Sequence, residues 1–179
     1  NTVYCDAETL LEKPLEDRKK FLTNKKEVTL TGGDKISDEE FFSGKSSIKL
    51  TKESSTGFGF SLKNLQANEL IEVQVQRKSK DGKGGIVVQN NATNFNVEQF
   101  STLTNKDENG WEFLMLKFRL PKDVQKIKEL KLFLWQQDSE APVYFDDLVV
   151  IRHKSESIKP FGNTSEISIQ LSSEDYDSI

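Results

Sequence analysis

Apolar and polar residues alternate with a period of two along most of this chain, the pattern of strands with one buried face. The cleanest case is residues 70–78 (LIEVQVQRK), where Ile71, Val73 and Val75 share one face and Glu72, Gln74 and Gln76 the other. Further strands are predicted over residues 2–8, 28–31, 46–51, 57–62, 86–89, 111–120, 130–136 and 143–152, and the polar stretch 90–110 is mostly loop, interrupted by 95–102. They are bounded by turn residues such as Gly32-Gly33, Ser43-Gly44-Lys45 and the Lys- and Gly-rich loop 79–85. Residues 10–22 (LLEKPLEDRKKFL) instead read as one short N-terminal helix, with Pro14 near its start where a missing N–H costs little. About eight or nine strands, one early helix and no βαβ rhythm predict an all-β fold, an antiparallel β-sandwich. No internal repeat is visible.

Two of the predicted strands are apolar on both faces. In 111–120, Leu114, Leu116, Phe118 and Leu120 make the core face, while Trp111, Phe113, Met115 and Lys117 lie opposite. In 130–136, Leu132 and Leu134 point one way and Phe133 and Trp135 the other. If these strands share a sheet with 70–78, its outer surface carries Trp135, Phe133 and Phe113 beside Gln74 and Glu72. Sugars stack their C–H faces on rings and bond their hydroxyls to amides and carboxylates, so this set is a candidate carbohydrate-binding surface. The alternatives are that the helix, with Leu11, Leu15, Phe21 and Leu22, covers the face, or that a β-bulge shifts the phase and returns these rings to the core. Trp111, at a strand start, reads as a packing residue.

With 179 residues the chain suits one full domain and a tail, 1–153 and 154–179, the latter being a linker followed by the start of a further domain or a docked end. The net charge is −4 and no basic stripe occurs, so neither nucleic acid nor an anionic membrane is the expected partner. No apolar run approaches the roughly 20 residues of a membrane-spanning helix. A monomer is the default expectation. Cys5 is the single cysteine, so there is no disulfide framework, and it reads as a small buried hydrophobe. His153, the sole histidine, sits at a strand end with no nucleophile motif near it, and one His with one Cys cannot build the usual zinc shell. Gly82, Gly84 and Gly85 read as a hairpin loop, and Glu39-Glu40 and Glu174-Asp175 as solvated charge. Catalysis within this chain is not expected.

Three short segments carry a family resemblance: Asp6-Ala7-Glu8, the run from Ser43 to Leu50 (SGKSSIKL), and the run from Val143 to Val150 (VYFDDLVV), with Gly110-Trp111 in support. Together they resemble the jelly-roll, galactose-binding-like carbohydrate-binding modules of secreted polysaccharide-degrading enzymes, over about residues 1–153. The resemblance implies a jelly roll, a polysaccharide or glycan partner, a secreted or cell-surface location, and covalently linked further domains. It also implies a structural calcium bound by an acidic residue of the first strand and one of the last. Here these are Glu8 and Asp146, with Asp6 and Asp147 as neighbours able to take over. Strand parity turns either Asp146 or Asp147 inward, and a turn cap or ion pair could replace the metal. The alternative function is a spacer or protein-interaction sandwich without sugar affinity. In the tail, SSEDYDSI resembles the opening of domains of the spore-coat kinase-like CotH family.

Overall fold

The structure, a computed structural model, describes residues 1–11, 20–25, 27–102 and 104–154. Its strands are β1 (Thr2–Cys5), β2 (Lys20–Leu22), β3 (Thr29–Thr31), β4 (Ile36–Ser37), β5 (Ser47–Leu50), β6 (Thr56–Lys63), β7 (Leu70–Lys78), β8 (Gly85–Asn90), β9 (Phe95–Gln99), β10 (Trp111–Arg119), β11 (Glu129–Trp135) and β12 (Val143–His153). They form two antiparallel sheets. The first runs β10-β7-β12-β5-β4, with β1 also paired to β12; the second runs β2-β3-β6-β11-β8-β9. This is the all-β antiparallel sandwich expected from the alternation, in the jelly-roll form that the resemblance implies.

The buried faces meet in one core, with Ile48, Leu50, Ile71, Val73, Val75, Leu114, Phe145 and Val150 from the first sheet against Leu30, Phe58, Leu62, Ile86, Val88, Leu132 and Leu134 from the second. Phe21 is fully buried and packs edge-on against Phe58 at 5.2 Å. That position corrects the helix reading at its C-terminal end. Lys20–Leu22 is a strand paired with β3, and Leu10 bridges to Phe21, so Phe21 is a core residue and not part of a helical cover. The remainder of the helix expectation, including Pro14 and Leu15, lies outside the described residues, as does the chain beyond Lys154.

The loop holding Gly82, Gly84 and Gly85 is not a hairpin, because it carries the chain from β7 in one sheet to β8 in the other. Gly84, at φ +91°, is needed there: a Cβ would stand 2.9 Å from Val143 and 3.2 Å from Phe145. Arg77 continues the inward face of β7 and is 1% exposed. Its guanidinium pairs with Glu112 at 2.8 Å and donates to the carbonyls of Gly84 and Phe100. A buried ion pair is tolerated only when its remaining donors are satisfied, and these carbonyls do so while fixing the inter-sheet loop.

Candidate functional site

The three segments that carry the resemblance converge at one place. On one edge of β12, β5 pairs with Val143, Tyr144 and Phe145, and β1 pairs with Leu148 through Ile151. Asp146 and Asp147 fall in the gap between these two partners. On the other edge the register with β7 slips between Asp146 and Val149, a β-bulge with Asp147 at φ +50°. The bulge resolves the parity question: Phe145 and Leu148 both reach the core, which strict alternation forbids, and Asp146 is the fully buried carboxylate.

Loop residues 42–46 close over this gap through their backbone. Asp146 Oδ2 accepts from the N–H groups of Phe42 (2.9 Å) and Ser43 (3.1 Å), and its Oδ1 accepts from Asp147 N–H. Glu8 Oε1 accepts from the N–H groups of Lys45 and Ser46, each at 2.7 Å. Asp147 accepts from the Tyr4 and Ser43 hydroxyls, and Asp6 from Glu8 N–H. Burial pushes the Asp146 carboxyl up from its ordinary 3.8 to about 7, against the pull of these N–H bonds and with the help of the neighbouring Asp147 charge. Burial also pushes the Cys5 thiol up to about 12, as suits an inert core cysteine. Among the described residues no group of three or more His, Cys, Asp or Glu side chains is placed to hold a metal ion. A hard cation with six to eight oxygen ligands would therefore draw most of them from backbone carbonyls, with Asp146 supplying a carboxylate already stripped of water.

The candidate carbohydrate surface divides. Phe113, Gln74 and Glu72 lie on the first sheet, in β10 and β7, whereas Phe133 and Trp135 lie in β11 of the second, so the five do not share one surface. On the first sheet Phe113 faces Gln76 and Met115 faces Gln74 in register. Glu72 is engaged by Gln74, by Lys117 at 3.3 Å and by His153 at 3.8 Å, which leaves an ion-paired face with Met115 exposed. Trp111, 3% exposed, packs against Phe42 beside the loop over Asp146, which agrees with its reading as a packing residue.

The outer face of the second sheet is concave. Its groove, about 770 Å³, is floored by the Phe133 ring and edged by Thr29, Thr31, Ser61, Lys20, Lys63, Lys131 and Glu27; Phe60, which also lines it, pairs with Leu132 and packs its side chain against the core. The shape follows from glycine: Gly59 faces Thr31 across the β3-β6 pair, and a side chain there would strike the Thr31 hydroxyl. A second bulge, with Phe58 at φ +49° and the register slipping between Leu132 and Leu134, bends β6 beside it. Trp135 follows Phe133 along β11, opposite Thr56, and meets Phe100 edge-on at 5.8 Å. Phe100 is in turn held through its carbonyl by Arg77. The three lysines were not legible as site residues, since each stands on a different strand. The Gly-Phe-Gly-Phe run was the available signal for the bend of β6 beside them.

No family model matches the sequence. No curated protein matches it either. Solved structures do resemble it: the CBM22-1 xylan-binding domain of Paenibacillus barcinonensis Xyn10C superposes with a TM-score of 0.51 at 15% identity, covering 85% of this chain and 94% of that one. The chain has the fold of a carbohydrate-binding module. The C-terminal family 22 module of Clostridium thermocellum Xyn10B gives 0.45 at 11% identity over 69% and 81% of the two chains. A cyclase from Fischerella sp. TAU gives 0.46 at 11% over 87% and 86%. At these identities the likeness is one of fold.

Proposed function

We propose that this chain is a non-catalytic carbohydrate-binding module of a larger secreted or cell-surface protein, taking a glycan chain in the groove of the second sheet. The observation that carries this reading is the pairing of an outward-facing ring, Phe133, with a rim of hydroxyl and charged side chains in an open groove. Such a surface offers C–H stacking and hydrogen bonds together, which is what a sugar ring needs. The sandwich shared with a xylan-binding domain supports it. Affinity electrophoresis through gels containing single polysaccharides tests it: retardation is expected for the wild type and its loss for Phe133→Ala. A chain that no polysaccharide retards is the rival spacer or protein-interaction sandwich, the form in which it would precede a CotH-like domain.

A structural calcium at the β12 bulge is the second part of the proposal. Asp146, with one neighbouring carboxylate (Asp147 or Asp6) and backbone carbonyls, would hold it, while Glu8 anchors the covering loop. A bound cation would supply charge neutralisation to a carboxylate whose ionisation burial otherwise delays to about pH 7. What supports it is the full burial of Asp146, whose bonds come from backbone N–H groups and not from a lysine or arginine.

A further inference from the structure

The charge of the groove runs against that of the chain. The protein carries a net −4, yet the groove is lined by Lys20, Lys63 and Lys131 against a single carboxylate among its described lining residues, Glu27. The cations are spread along the face. Lys131 stands beside Ser61 on one side and Gln89 on the other, Lys63 stands opposite Glu129 at the end of the same strand pair, and Lys20 pairs with Thr31 at the sheet edge. Lys131 also borders the next hollow, with Gln89, Asn90 and Glu129. Lys63 borders another, with Lys25 and Arg152. Lys49, Lys52, Lys78 and Lys117 each sit on a carboxylate within 3.3 Å, whereas others among the described residues, such as Lys45 and Lys80, do not. Among the described residues neither Lys63 nor Lys131 has such a partner.

We propose that the groove selects a carboxylated polysaccharide, one bearing uronic acid residues, over its neutral counterpart; this rests on the glycan reading above. A single exposed ammonium–carboxylate contact contributes little, and salt weakens it. A polymer that repeats its carboxylate lets several lysines engage at once, while the phenyl floor takes the sugar faces. Lysine suits this role, being a hydrated point charge on a flexible stem that follows a carboxylate without demanding one geometry.

The test compares matched pairs in affinity gels: polygalacturonate against its methyl ester, and a glucuronoxylan against its carboxyl-reduced form, each with wild type, Lys63→Gln/Lys131→Gln and Phe133→Ala. The acidic member of at least one pair should retard the wild type more than its neutral partner. The double lysine variant should weaken that binding about tenfold, as should raising the salt to about 0.5 M. Phe133→Ala should abolish it, with thermal melts of both variants unchanged to within a few degrees. Equal retardation by acid and neutral forms, lost in Phe133→Ala but not in the lysine variant, keeps the glycan groove and overturns its charge selection. Retardation by single-stranded DNA as strong as by the acidic glycan, insensitive to Phe133→Ala, overturns it as a generic polyanion patch. No retardation by any polysaccharide overturns both readings.

Discussion

Replacing Asp146 with asparagine should remove a pH-dependent destabilisation specific to this position. In the unfolded chain an aspartate ionises near 4; in the fold, burial holds the Asp146 carboxyl up to about 7. Below about pH 4 the group is protonated in both states and contributes nothing to the difference. Between about 4 and 7 the folded state binds a proton that the unfolded state has released, so stability falls as pH rises. Above about 7 both states are ionised and the full cost is present, about 4 kcal/mol for a gap of this size at a fully buried site. The amide of Asp146→Asn would carry no such cost, although it would lose at least one of the N–H bonds that the carboxylate accepts. That loss offsets the two curves by a constant. In chelator, the unfolding free energy of the wild type minus that of Asp146→Asn should therefore fall by about 4 kcal/mol from pH 4 to pH 8, on the order of 8–16 °C in relative melting temperature. Urea unfolding at four or five pH values, both proteins in the same buffers, measures it, and carboxylates remote from the site cancel in the difference. A gap that stays constant across this range would refute a desolvated carboxyl at this position.

Further outcomes follow from the same structure. Calcium added at pH 8 should recover much of the wild-type loss and raise its melting midpoint, while leaving the Asp146→Asn, Asp147→Asn double variant unmoved; no response in the wild type removes the metal from the account. Glu112→Leu strands a guanidinium that is 1% exposed and should cost about 3–5 kcal/mol in denaturant unfolding, while Arg77→Met with Glu112→Leu together should cost less. Cys5 is 2% exposed with its thiol pushed up to about 12, so a thiol reagent at pH 8 should react only at the rate of unfolding, with full reaction once urea is added.

The strands were legible because alternation is a local property. β7 has the bounds the pattern gives it, and the others shift by one to three residues at one or both ends. Strands of two or three residues, such as Ile36–Ser37 and Lys20–Leu22, are too short to show a period, and the second was absorbed into an apparent helix. Which sheet a strand joins is set by pairing across the fold. That is why Phe113 and Phe133, alike in pattern, face solvent on opposite sides of the sandwich. Bulges at Phe58 and Asp147 reset the phase mid-strand, so both readings of the Asp146-Asp147 pair held on one side of the bulge. The meeting of Glu8, loop 42–46 and Asp146 was visible in advance only through the family resemblance of the segments that carry them. The groove lysines left no trace, because polar residues on polar faces look alike until strands are set side by side.

The central claim is that the concave second sheet binds a glycan through its phenyl floor. Its most direct measurement is the titration of a retarding polysaccharide against wild type and Phe133→Ala, with thermal melts alongside. Binding weakened about fivefold or more at an unchanged melting temperature is expected, since loss of one ring contact is worth about 1 kcal/mol or more. Equal affinity in the two proteins, or binding carried instead by Phe113 on the opposite sheet, would contradict it.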